Sequence, residues 1–197
     1  MSPGRIAANI IDNHNLYRRD FIWRHEITPY RIMIAEFMLH RTRAGQVERV
    51  YSEFIKKYPD VKALSIAGKN DIENITEHLG LHWRSAHFIK SARFIVREYN
   101  SVFPDNREKL LKIPGVGDYV AGAIMTVCFN KPEYVVDSNI ARFINRFYGL
   151  NLTGEIRRKK AVIDRAKELF KIKNSGVLSG TSSDPGVGKI TTHLIGN

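Results

Sequence analysis

Leu111-Lys112-Ile113-Pro114-Gly115-Val116-Gly117-Asp118-Tyr119 joins two helical patterns through a very short glycine turn. Without a Cβ, Gly115 and Gly117 can adopt positive φ and let the backbone approach another surface closely. The helix that follows presents its first unpaired N–H groups, and the positive end of its dipole, to an anion. A DNA phosphate suits such a cradle and leaves base sequence unread. Gly115, Val116 and Gly117 are therefore candidate DNA-binding residues. Taken alone, the segment serves equally well as a tight connection between two packed helices.

The flanking periodicity is helical almost throughout. Thr28-Pro29 has the form of an N-cap and first-turn proline, opening a helix through Ile32, Met33, Glu36, Phe37 and Leu39. Val47, Val50, Tyr51, Phe54, Ile55 and Tyr58 recur at three- and four-residue steps until Pro59 ends the pattern. Ile72, Ile75 and Leu79 form a shorter helix closed by Gly80. Ala86, Ile89, Ala92, Phe94, Ile95 and Tyr99 mark another. Helices are predicted over Asn106 to Ile113 and Asp118 to Phe129 around the turn, then over Ser138 to Tyr148 and Lys159 to Phe170. No segment alternates for long enough to predict a sheet. The fold class is all-α.

Composition narrows the function. The 31 Lys and Arg against 20 Asp and Glu leave a net charge of +11, which favours a polyanionic partner because phosphate neutralisation releases condensed counterions. No run approaches the roughly 18 uninterrupted apolar residues of a membrane span. Met1 to Asp12 has no secretion signal, so a cytoplasmic, nucleoid-associated protein is expected. A single cysteine, Cys128, rules out an intrachain disulfide and a metal cluster held only by this chain's thiolates. The histidines lack a metal-ligand spacing. From 171 to 197 the chain is rich in Gly, Ser and Thr and reads as a loosely ordered tail. Its Gly186-Val187-Gly188-Lys189-Ile190 fails the phosphate-loop pattern at Ser183 and Ile190.

Downstream of the turn, Tyr134-Val135-Val136-Asp137-Ser138-Asn139 delivers a carboxylate just before a predicted helix, 22 residues after Gly115 (137 − 115). By position Asp137 is a helix cap. Following this hairpin, it is also a candidate catalytic carboxylate. Ile113 to Ile124, then Val135-Val136-Asp137-Ser138-Asn139-Ile140-Ala141-Arg142, resembles the helix-hairpin-helix superfamily of endonuclease III and the MutY-type adenine glycosylases. Asp20-Phe21-Ile22-Trp23-Arg24-His25 and Pro29-Tyr30 extend the similarity. Glu36-Phe37-Met38-Leu39-His40-Arg41-Thr42-Arg43-Ala44-Gly45-Gln46-Val47 most resembles the archaeal thymine-DNA glycosylases acting on T·G and U·G mismatches. The resemblance covers roughly residues 14 to 170.

The resemblance implies a role for each matching residue. Asp137 takes the place of the carboxylate that stabilises positive charge on the deoxyribose and helps direct water, as an oxocarbenium-like centre requires. Glu36 stands where the adenine enzymes keep the acid that protonates the leaving base; for thymine it reads the pyrimidine edge instead. Burial among Ile34, Ala35, Phe37 and Met38 would raise its pKa toward a useful range, whereas a solvated helix residue would keep an ordinary one. Tyr119 occupies the position where bifunctional relatives hold a Schiff-base lysine, 18 residues before the Asp (137 − 119). A monofunctional enzyme leaving an abasic site is implied. His40, Arg41 and Thr42 lie where relatives enter the vacated base stack, with Arg41 either the wedge or a phosphate contact. Asn139 positions water or a phosphate, or caps the helix. Trp23 and Tyr30 are core aromatics or base-stacking platforms.

Relatives usually end with four cysteines holding a [4Fe-4S] cluster, whereas this chain has only Cys128, so no cofactor is expected here. Two helical lobes are implied: 28–131 with the hairpin, and 1–27 plus 132–170, with 171–197 as the atypical tail. Glu36 and Asp137 would face each other across a DNA cleft. The implied function is excision of thymine or uracil opposite guanine by a monomer acting on mismatched double-stranded DNA. The alternatives are adenine excision opposite oxidised guanine and a noncatalytic DNA-binding module.

Overall fold

The computed structural model describes residues 20–80, 85–131 and 133–171. Among them there is no strand, as the all-α reading expects. Of the segment 171–197, read from sequence as a tail, Lys171 is helical, and 172–197 lie outside the described residues, as do residues 1–19.

Helix α1 spans Pro29–Leu39. Thr28 Oγ1 accepts from the Arg31 N–H at 3.2 Å, and Pro29 takes the first position, where its missing N–H costs nothing. Tyr30 and every residue from Ile32 to Met38 are buried, so this helix runs through the middle of its unit instead of along its surface. Helix α2, Ala44–Lys57, buries the stripe Val47, Val50, Tyr51, Phe54 and Ile55. A five-residue helix α3, Val61–Ser65, follows, capped by Asp60 through the Ala63 N–H at 2.8 Å. It is too short to carry a readable period. Helix α4, Lys69–Thr76, continues into a 3-10 turn, Glu77–Leu79, that stops at Gly80 with φ +68°. Helix α5 is Ser85–Tyr99.

The first hairpin helix, α6, covers only Arg107–Leu110, shorter than the expected Asn106 to Ile113. Asn106 caps it through the Lys109 N–H, and beyond Leu110 the backbone tightens into i→i+3 bonds, Lys112 N–H to Lys109 O and Ile113 N–H to Leu110 O. That tightening lets both Leu110 and Ile113 reach the core. Helix α7, Asp118–Phe129, and helix α8, Ser138–Phe147, match the sequence reading. A 3-10 turn, Ile156–Arg158, leads to helix α9, Lys160–Lys171.

The described residues form two compact units, Asp20–Ile124 and the residues from Met125 onward. In the first, Phe88 meets Phe37 and Phe54 at ring distances of 5.6 and 5.1 Å. Trp23 stacks on Phe21 and meets Tyr51 edge-on, which ties residues 20–27 into this unit. Tyr30 donates to the Tyr58 carbonyl at 2.6 Å. Trp23 and Tyr30 are both buried, so the core role prevails over base stacking. The second unit closes on Ile140, Ala141, Ile144, Ile156, Val162 and Ala166, with Tyr134, Val136 and Leu150 packed around them.

Candidate DNA-binding and catalytic site

The Val116 N–H bonds to the Ile113 carbonyl at 3.0 Å and closes a turn with Pro114 and Gly115 at its centre. Gly115 has φ +82°, the conformation such a turn demands after proline. A Cβ there would also lie 3.1 Å from Phe37 Cζ and 3.3 Å from His87 Nδ1, tight contacts that add to the conformational preference for glycine. The sequence predicted the same freedom for Gly117, and the structure corrects it: Gly117 is absent from the positive-φ residues. Its role is different. A Cβ on Gly117 would meet nothing within 4 Å, and its carbonyl accepts from the Ala121 N–H at 2.9 Å, so it opens α7 facing open space. Val116 is buried and anchors the turn.

Two residues that the sequence reading missed hold the hairpin in place. The fully buried Ser91 hydroxyl on α5 lies 2.5 Å from the Pro114 carbonyl and 2.6 Å from the His87 carbonyl, sharing its single proton between them. Arg107 reaches from the start of α6 to the Asp118 carboxylate at 2.9 Å and the Asp118 carbonyl at 3.2 Å. It thereby neutralises the one acid in the first turn of α7. Opposite charges 11 residues apart (118 − 107) were the only sequence signal for the second contact; for Ser91 there was none. Tyr119, the second residue of α7, is half-buried.

Glu36 is buried, with 5% of its surface exposed, so the solvated-residue alternative fails. Its neighbour Phe37 touches the hairpin at Gly115, which places α1 and the turn in one neighbourhood. Beyond α1, the Thr42 N–H bonds to the Leu39 carbonyl at 3.1 Å, and Arg41 sits at the crest of that turn with φ +63°. A non-glycine residue held there costs on the order of 1 kcal/mol, and such strain gathers at functional positions. His40 and Arg41 are exposed, and Thr42 is half-buried.

Asp137 and Asn139 belong to the second unit. Asp137 caps α8: its Oδ1 accepts from the Asn139 and Ile140 N–H groups at 2.8 and 2.7 Å. Both bonds use one oxygen, and among the described residues Oδ2 accepts none. Capping therefore leaves half of the carboxylate available. Burial pushes the Asp137 carboxyl above its ordinary range; the two backbone N–H groups, then Arg142 and Arg157, pull the other way. Asn139 Oδ1 accepts from Arg142, which leaves its amide N–H groups for another partner.

The structure thus gathers Glu36, His40, Arg41, Thr42, Gly115, Val116, Gly117 and Tyr119 in the first unit and Asp137 and Asn139 in the second. A family model described as HhH-GPD superfamily base excision DNA repair protein matches residues 34–171, which contain all of them. The chain belongs to this family. Among relatives of this HhH-GPD protein is a thymine/uracil-DNA glycosylase of Methanothermobacter thermautotrophicus. It is 36% identical over 164 residues, covering 83% of this chain and 74% of that protein. An adenine DNA glycosylase of Buchnera aphidicola subsp. Baizongia pistaciae is 32% identical over 146 residues, which are 74% of this chain but 42% of that longer protein. The solved structure of a thermostable thymine-DNA glycosylase superposes with a TM-score of 0.81 at 32% identity, covering 98% of this chain and 86% of that one.

The residues present do not fit the iron-sulfur cluster that the resemblance implies for many HhH-GPD proteins. Four thiolates are needed and the chain contains one cysteine, whose thiol burial pushes up to about 12. Among the described residues, no group of three His, Cys, Asp or Glu side chains is placed to hold a metal. No described helix is long and apolar enough to cross a membrane.

Proposed function

We propose that this HhH-GPD protein is a monofunctional DNA N-glycosylase that removes thymine or uracil mispaired with guanine, acting as a monomer on nucleoid DNA in the cytoplasm and without an iron-sulfur cluster. The observation that carries this reading is Asp137: one oxygen is spent on the cap, the other is unclaimed, and the group is partly withdrawn from water. A carboxylate so placed stabilises the positive charge that develops at C1′ as the glycosidic bond breaks. A water molecule then adds to C1′. One of its protons is released, and the base departs with a proton on the atom that held the bond.

Glu36, buried on α1, protonates the leaving base or reads its edge. The exposed Arg41, at the crest of its strained turn, enters the space that the extruded nucleotide leaves. The open face of Gly117 admits a phosphate to the first N–H groups of α7. The Asn139 amide donates to water or to a phosphate oxygen. Tyr119 has no amine with which to form an imine, so water remains the nucleophile. The thymine/uracil relative and the thymine-DNA glycosylase structure support a pyrimidine substrate.

Labelled duplexes carrying T·G, U·G or adenine opposite oxidised guanine, incubated with the protein and then treated with alkali, test the reading. Strand scission at the T·G and U·G sites is expected. Scission only at adenine would transfer the activity to the purine substrate, and duplex binding without scission anywhere would leave a noncatalytic module.

A further inference from the structure

The second unit carries a run of four cations that the reading above does not use: Arg157, Arg158, Lys159 and Lys160. Their place in the fold is electrostatically unfavourable. Lys160 begins the twelve-residue helix α9, the Lys159 carbonyl accepts the first helical bonds from Val162 and Ile163, and the first turn contains no acid. A helix N-terminus already bears partial positive charge, so cations gathered there cost stability instead of adding to it. Arg157 is held by paired bonds to the two Glu155 oxygens at 2.8 Å each, and Arg158 feels the same carboxylate only at longer range. Arg158, Lys159 and Lys160 are exposed, and their side chains make no hydrogen bond or close ion pair with any described residue. Asp164, one turn on, does not pair with them.

A run of charge is most often a solvated surface. This one differs in two respects. It opposes the dipole of its own helix, and sequence features that work against local stability concentrate at functional positions. It is also fixed and not trailing, because Ile156 and Val162 on either side are buried in the core of the unit. Arg157, the first residue of the run, also acts electrostatically on Asp137 in the same unit. An anion arriving here would relieve the crowding of positive charge and bind for that reason.

We propose that Arg158, Lys159 and Lys160 form a DNA-backbone contact surface of the second unit, taking phosphates of the duplex beside the target nucleotide. The proposal rests on the DNA-glycosylase reading above. The three residues supply affinity and play no part in bond cleavage.

The test compares the intact protein with Arg158→Gln/Lys159→Gln/Lys160→Gln and with a control of equal charge loss elsewhere, Lys56→Gln/Lys62→Gln/Lys90→Gln. Binding to a fluorescent U·G duplex is followed by anisotropy between about 50 and 200 mM salt, where each phosphate contact contributes about 0.9 to the slope of log affinity against log salt. The first variant is expected to lose about two to three from that slope and on the order of tenfold in affinity. Its single-turnover excision rate at saturating protein should be unchanged, and its melting temperature equal or higher. The control should keep the parental slope. An unchanged slope in the first variant, an equal loss in the control, or a lowered melting temperature would overturn the proposal while leaving the glycosylase reading standing. Failure of the parent protein to bind duplex DNA would overturn both.

Discussion

Asp137→Asn and Asp137→Ala separate the cap that Asp137 forms from the catalytic task proposed for it. The amide oxygen of asparagine can accept the same Asn139 and Ile140 N–H bonds, so the cap of α8 survives while the charge is lost. Burial holds the folded-state pKa of Asp137 above its ordinary value, so the folded protein binds this proton more tightly than the unfolded chain does. The ionised group therefore costs stability at neutral pH, and the cost is relieved as pH falls through the folded pKa. Asparagine removes that cost, and the variant should melt at the parental temperature or above it. Alanine also removes the cap, worth about 1 kcal/mol, or roughly 2–4 °C in melting temperature for a chain of this size. Turnover should collapse in both, because losing a preorganised charge opposite a developing one costs about a hundred- to a thousandfold, or about 3–4 kcal/mol. Thermal melts alongside single-turnover excision on a U·G duplex read the two effects independently. In the parent protein, the same rate should decline as pH drops through a pKa above the ordinary aspartate value. Excision within a few-fold of parental by Asp137→Asn would refute the catalytic assignment, and a melt as low as that of the alanine variant would refute the division of labour.

The two hairpin glycines should respond oppositely to alanine. Gly115→Ala meets Phe37 and His87 at φ +82° and should lose about 1–2 kcal/mol or more of stability, whereas Gly117→Ala should melt normally yet bind duplex more weakly. Equal melts for the two, or full DNA affinity in Gly117→Ala, would count against the roles assigned here. With its thiol pushed up to about 12, half-buried Cys128 should react with a thiol-specific reagent at pH 8 many-fold more slowly in the native protein than after denaturant is added; equal rates would contradict the raised pKa. Borohydride added during excision should trap no protein–DNA adduct, since Tyr119 offers no amine, and a stable adduct would show that a lysine elsewhere does the chemistry.

The long helices were legible because each carries either a clear apolar period or a pair of end signals: Thr28-Pro29 before α1, Pro59 after α2, Gly80 after the 3-10 turn that ends α4. The hairpin was legible because Pro-Gly-Val-Gly between two helical patterns has few conformations open to it. Helix α3 was not, since five residues complete little more than one turn and periodicity needs several. The early end of α6 was hidden for a related reason. Leu110 and Ile113 fit a helical stripe and a tightened turn alike, and only the core beneath them selects the turn.

The order of residues along the chain was enough to set the all-α class, the place of the glycine turn and the identity of the carboxylate after it, because these depend on local conformation and on motifs that neighbouring residues compose. It could not tell Gly115 from Gly117, since one is constrained by the Phe37 ring and the other by nothing, and that difference arises from residues far away in sequence. Nor could it foresee that Ser91 would support the Pro114 carbonyl, that Arg41 would be held at positive φ, or that Asp137 would cap α8 with a single oxygen. Those outcomes depend on atoms brought within hydrogen-bonding or van der Waals range by packing, and distance in space is the quantity a sequence does not contain.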